Sequence, residues 1–261
     1  MTAATVALHE LRAGTGLPLV LLHAFPLDSR MWTDVAALLP DGVPVLAVDL
    51  PGLGAAGDAP LPEPSLEAAA DAVADALTRA GHDRAVVAGL SMGGYVTLAL
   101  AERHPGLAAG IGLLDTKATA DPGDARANRL RVASVVEDAG TVDEVLPMAT
   151  ALLGAASRER PELVARLEAW IGSQPPAGVA WSQRAMAARP DRTAVLAAHG
   201  GAALVLVGEE DGPTPPAQAR AMAHVLGVPP VVVPAAGHLT AVEAPSVVAE
   251  ALTDLVRRAR A

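Results

Sequence analysis

"VVAGLSMGGY", residues 86–95, sets Ser91 between Gly89 and Gly93 directly after a run of small and β-branched residues. The apolar run reads as a buried strand and the residues beyond Ser91 as a helix. A chain that turns sharply from strand into helix leaves no room for side chains two residues either side of the turn. Glycine at both places removes the collision and leaves the serine at the apex, the geometry of a nucleophile elbow.

Outward from the elbow, short apolar runs alternate with helical patterns. Strands are predicted over 19–22, 45–48, 85–88, 111–114, 203–207 and 231–233, and helices over 31–39, 66–80, 92–103, 216–226 and 245–259. Several strands are too uniformly apolar to keep one face in water, so they belong in a parallel sheet covered on both sides. The fold class is therefore α/β, a mostly parallel central sheet flanked by helices and joined by right-handed crossovers.

The alternation breaks once. Between 114 and 203 the stretches "DARANRLRVASVVEDAG", "TVDEVLPMATALLG" and "RPELVARLEAWIGSQ" have helical spacing, with Gly or Pro at their ends. Residues 116–198 are expected to form a helical cap inserted into a core made of 1–115 and 199–261. Open α/β sheets bind ligands beyond the carboxyl ends of their strands, so an insertion after a strand end is placed to roof the site. The plainer alternative is a packing subdomain that never meets substrate.

Composition bounds the possible partners. The 261 residues suit one large domain, 51% of them are hydrophobic, and no apolar run approaches the length needed to cross a bilayer. The N-terminal "MTAATVALHELRAG" lacks a basic segment followed by an apolar stretch, and there is no cysteine; a cytoplasmic protein is expected. With 29 acidic against 19 basic residues and no basic tract, nucleic acid is not an expected partner. The seven histidines have no metal-ligand spacing, so no metal site is expected. A small-molecule substrate fits these bounds, whereas the oligomeric state is not set by them.

From "LLHAFPLDSRMW" through the elbow to "AAGHLTAVEAP" the chain resembles the α/β-hydrolase superfamily over nearly its whole length. The resemblance implies the α/β-hydrolase fold, no organic cofactor, and a serine hydrolase that cleaves a small ester or lactone through an acyl-enzyme. It looks most like enol-lactonases and small carboxylesterases; cofactor-free haloperoxidases or perhydrolases and C–C bond hydrolases share the same triad. A non-catalytic receptor that keeps the fold and pocket is the alternative from another class.

Candidate residues appear in the Ser, Asp, His order of that fold. Ser91 is the candidate nucleophile and needs a base to take its proton. His238, after the last predicted strand, fits that role, and Asp211, past the preceding strand, is placed to orient the imidazole. Glu209 and Glu210 adjoin Asp211, and Asp115 also follows a strand and stands as the alternative acid. Singly, Ser91 and Asp211 read equally as helix caps and His238 as a loop histidine. For the oxyanion, Met92 offers a backbone N–H at a helix N-terminus. By resemblance to the family's His-Gly-x loop the second donor is Phe25, since Pro26 has no N–H; Ala24 stands where the family often has glycine. His23 and Asp49 resemble residues that brace that loop and a turn.

Only five aromatic residues occur: Phe25, Trp32, Tyr95, Trp170 and Trp181. Phe25 falls in the oxyanion loop, Trp32 at a helix start, Tyr95 just past the elbow, and the last two in the expected cap. Trp32, Tyr95, Trp170 and Trp181 are expected to line an apolar substrate pocket with Phe25 and Met92, against the alternative that they simply pack cap on core.

Overall fold

The computed structural model describes residues 3–260. Its strands are β1 (Ala7–Arg12), β2 (Leu19–Leu22), β3 (Val45–Asp49), β4 (Ala85–Leu90), β5 (Ala108–Leu114), β6 (Ala202–Gly208) and β7 (Val231–Val233). They form one sheet in the order β1-β3-β2-β4-β5-β6-β7. β1 pairs antiparallel with β3, and the other five pairings are parallel. Every residue of β2, β3 and β4 is buried, as unbroken apolar strands between two helical layers require.

The helices are α1 (Thr33–Leu38), α2 (Leu66–Arg79), α3 (Met92–Arg103), α4 (Gly123–Ala139), α5 (Met148–Ala151), α6 (Ala155–Arg158), α7 (Pro161–Gly172), α8 (Pro176–Ala188), α9 (Thr193–Ala198), α10 (Pro216–Leu226), α11 (Thr240–Glu243) and α12 (Pro245–Arg260). The single helix predicted over 31–39 is divided. A 3₁₀ turn over Ser29–Trp32, capped by the Asp28 carboxylate accepting from Arg30 N, precedes a shorter α1. β1 has no counterpart among the predicted strands. It is a half-exposed edge carrying Glu10 and Arg12, without the apolar run that marks the inner strands.

Between β5 and β6, where the alternation breaks, lie α4 to α9, with α4 packed along α8. α8 rests on the loop after β3 at the Gly178–Gly52 contact, where a Cβ on Gly178 would overlap the Gly52 carbonyl. Gly178→Ala is expected to destabilise the protein by about 1–3 kcal/mol, the usual cost of overpacking. A lowered melting temperature with unchanged far-UV dichroism at 20 °C would register it; an unshifted melt would show that α8 lifts freely from the core.

β2, β4, β5, β6 and β7 run in one direction, so their carboxyl ends share one edge of the sheet. The chain leaves those ends toward Phe25, Ser91, Asp115, Asp211 and His238 respectively. Among the described residues no helix is long and apolar enough to cross a membrane.

Candidate active site

The elbow forms because two glycines permit it. A Cβ on Gly89 would overlap the Gly93 carbonyl, and one on Gly93 would overlap the Leu22 carbonyl, so α3 could not descend against β2 and β4 with larger residues there. Ser91 itself sits at φ 54° and ψ −111°, in the half of backbone space that side chains resist. Holding a non-glycine residue there costs on the order of 1–3 kcal/mol. Ser91 N donates to Leu114 O at 2.9 Å, and Thr116 Oγ1 donates to Ser91 O at 2.8 Å, which lashes the strained turn to the end of β5.

His238 reaches the serine from the loop that follows the edge strand β7. Its Nε2 lies 2.8 Å from Ser91 Oγ, and its Nδ1 lies 2.9 Å from Asp211 Oδ1. With the carboxylate able only to accept, Nδ1 carries the proton and Nε2 is left as the acceptor for the serine hydroxyl. Asp211 is held in turn by Thr214, whose N–H and hydroxyl donate to its two oxygens at 2.9 and 2.7 Å. His238 and Asp211 are both buried, whereas Ser91 is partly open to solvent.

Asp115 is fully buried near the same residues but makes no hydrogen bond to His238 among those described. Its carboxyl accepts from Gly208 N at 2.8 Å and Thr240 N at 3.3 Å, and pairs with the Thr240 hydroxyl. Burial, reinforced by the charge of Asp211, pushes its pKa well above the ordinary value despite those hydrogen bonds. It ties the β6 end that leads to Asp211 to the loop that carries His238.

One carboxylate that the sequence did not single out, Glu243, shapes the His238 loop. It accepts from Gly237 N at 3.0 Å and Leu239 N at 3.1 Å on either side of the histidine, and from Gly154 N in the insertion at 2.8 Å. His238 N donates to Leu152 O at 2.7 Å, so the inserted segment grips the histidine backbone directly. Two of its partners, Gly237 and Leu239, are close in sequence, but the third, Gly154, is 89 residues away and is brought to it only by the tertiary fold.

The N–H of Met92 opens α3, where a helix leaves its first amides unpaired and partially positive. The Phe25 N–H makes no hydrogen bond among the described residues, and the Phe25–Pro26 peptide is cis. His23 braces this loop from within: its Nε2 accepts from Leu50 N at 2.9 Å and its Nδ1 donates to Ala24 O at 2.9 Å. Burial lowers its pKa, against the opposing pull of that backbone bond and of Asp49 and Asp28, and keeps the ring neutral. Asp49 accepts from Ser29 N at 2.7 Å and Ala55 N at 2.8 Å, pinning the loop after β3, and also meets His9 at 2.9 Å.

The aromatic residues have different surroundings. Trp32 is fully buried in the core with its indole N–H unpartnered. Tyr95 is buried beneath Arg189, whose guanidinium lies 4.1 Å from the ring centre. Trp170 is flanked by Arg166 at 5.1 Å and Arg30 at 5.8 Å, and Trp181 donates to Pro62 O at 2.8 Å. Between these tryptophans, Gln174 joins insertion to core by donating to Asp28 at 2.7 Å and accepting from Gly54 N at 2.9 Å.

A serine hydroxyl donating to an imidazole, itself donating to a buried carboxylate, is an arrangement capable of nucleophilic attack on a carbonyl carbon. Among the described residues no three His, Asp or Glu side chains gather as a metal site.

A family model described as the alpha/beta hydrolase family matches residues 19–251. The 2-succinyl-6-hydroxy-2,4-cyclohexadiene-1-carboxylate synthase of Enterobacter sp. (strain 638) is 32% identical over 258 residues, 94% of this chain and 95% of that protein. The pimeloyl-[acyl-carrier protein] methyl ester esterase of Aromatoleum aromaticum (strain DSM 19018 / LMG 30748 / EbN1) is 42% identical over 98 residues, 38% of this chain; the match spans only 36% of the esterase's own length. A thermophilic esterase from Thermogutta terrifontis shares the fold with a TM-score of 0.91 and 37% identity, over 98% of this chain and 94% of that one.

Proposed function

The chain belongs to the alpha/beta hydrolase family, and from that membership we propose that it is a serine hydrolase cleaving small-molecule carboxylic esters through an acyl-enzyme on Ser91. The observation that carries this reading is the continuous chain from Ser91 Oγ to His238 Nε2 at 2.8 Å and from His238 Nδ1 to Asp211 at 2.9 Å. Esters are favoured over the other substrates by the relatives whose names make them esterases.

In this mechanism His238 takes the hydroxyl proton as Ser91 Oγ attacks the ester carbonyl, and Asp211 stabilises the imidazolium that results. The oxyanion is received by the N–H groups of Met92 and Phe25. Collapse breaks the bond to the alkoxide, which takes the proton from His238 and leaves as alcohol. Water then attacks the acyl-serine with His238 again as base, and the acid departs. Residues 116–198 act as the cap, holding the histidine backbone through Leu152 and roofing the acyl group.

A fluorophosphonate probe tests the reading, because it captures an activated serine and spares ordinary hydroxyls. One adduct per chain, on the peptide containing Ser91, is expected, with turnover of p-nitrophenyl acyl esters lost in proportion to labelling. Lactones, peracid formation and dienoates belong in the same panel. One-to-one ligand binding without turnover of any member, and without an adduct, would replace the hydrolase by a receptor.

A further inference from the structure

Three cations converge on one carboxylate in the inserted segment. Asp121 accepts from Arg189 Nη1 and Nη2 at 2.7 Å each and from Arg129 Nε at 2.6 Å, and Lys117 Nζ lies 3.0 Å away. All are withdrawn from water: the side-chain exposure is 2% for Arg189, 14% for Lys117 and 22% for Arg129. Among the described residues no second carboxylate pairs with any of the three, so three cations against one carboxylate leave two positive charges over. The chain as a whole carries a formal charge of −10, which makes this local surplus a departure from its own composition. Keeping surplus cations out of water is costly unless an anion joins them.

The cluster adjoins, at two points, residues that brace the backbone of the elbow. Arg189 lies over the Tyr95 ring, and Tyr95 is one helical turn beyond the nucleophile, its N–H donating to Ser91 O at 3.2 Å. Lys117 follows Thr116, whose hydroxyl holds the same carbonyl. At the other end, Arg129 donates to Gln183 Oε1 at 3.1 Å. These two residues line a cavity of about 360 Å³ together with Val132, Val145 and Met148. Arg131 and Glu144 also border it, but they neutralise each other at 2.8 Å. Met148 stands about 6 Å along the chain's helical rise from Leu152, the residue whose carbonyl holds His238 N.

We propose that Lys117 and Arg129 receive a carboxylate of the substrate, so that the preferred ester is one that also carries an ionised acid at the far end of a short aliphatic chain. The inference rests on the ester reading above and names the substrate class for that site. Val132, Val145 and Met148 give methylene groups an apolar wall, and the guanidinium presents donors suited to a carboxylate. The substrate anion would neutralise part of the surplus charge that the fold holds in the cap.

Monomethyl adipate and methyl hexanoate test this directly, since they differ in ending in a carboxylate or a methyl. Wild-type kcat/KM is expected to favour the adipate ester by roughly tenfold or more, the scale of one charge-assisted contact, and the preference should shrink as salt screens the charges. Lys117→Met and Arg129→Met should each lower the ratio of the two rates by roughly tenfold, with Arg129→Lys restoring part of it. Lys117 makes the fewest contacts, so its variant is the one least tied to folding. Equal losses on both esters, or no wild-type preference, would overturn the proposal. Titration with adipate dianion, followed calorimetrically, separates the two readings. Lys117-dependent binding without turnover of either ester would leave the anion site standing and remove the esterase, whereas turnover of both esters with no adipate binding would do the reverse.

Discussion

Ser91→Ala should reduce ester turnover by roughly four or more orders of magnitude, because the candidate triad acts as a unit and the remaining groups can only orient substrate and stabilise the oxyanion. The variant should fold. Alanine removes one hydroxyl from a position whose strain is borne by the backbone bonds to Leu114 and Thr116 and by the glycine contacts beneath it. His238→Ala should fall comparably and should also slow fluorophosphonate labelling, since the hydroxyl then has no acceptor for its proton. Stopped assays with a p-nitrophenyl ester, run beside a thermal melt, decide the matter. Folded Ser91→Ala with wild-type turnover would end the mechanism, and label on another residue would relocate the nucleophile.

Asp211→Asn should cost roughly four orders of magnitude in kcat, because an amide at that place favours the wrong histidine tautomer without disturbing the packing. Asp115→Asn should stay within about tenfold, since its oxygens meet Gly208 and Thr240 and not the imidazole. The two variants separate in stability as well. Burial raises the Asp115 pKa in the folded protein, so above the ordinary value of 3.8 the unfolded chain has lost a proton that the folded one keeps. Stability from this group is therefore fullest at acid pH and declines as pH rises toward the raised value. Asp115→Asn removes that slope, and its melting temperature should gain on the wild type as the pH rises above about 4, the side set by the direction of that shift. A larger catalytic loss in Asp115→Asn than in Asp211→Asn would move the acid to β5.

Local chemistry made much of this molecule readable before any coordinates. Unbroken apolar runs marked the five inner strands, because a residue buried on both faces of a sheet has no use for polarity, and the short Val231–Val233 run marked the half-exposed edge strand β7. The glycines around Ser91 marked the elbow because steric exclusion acts within a few residues. β1 escaped, since an edge strand half in water carries a weaker pattern. α8 escaped too: buried along most of its length, it lacks the polar face that gives a helix its period.

The sequence alone thus determined six of the sheet's seven strands, the turn that presents Ser91, and the order in which candidate residues leave the strand ends. Which carboxylate meets the imidazole it left between Asp211 and Asp115, for both follow strands. Tertiary structure decided that: the histidine is separated by 147 residues from Ser91 and by 27 from Asp211, and only the packed sheet and the grip of Leu152 and Glu243 on its loop bring the three together. It also decided that Trp32 is sealed in the core and that three cations of the insertion share Asp121. Periodicity and steric exclusion are properties of neighbours in the chain, whereas a hydrogen bond between distant residues depends on where the whole fold carries each of them.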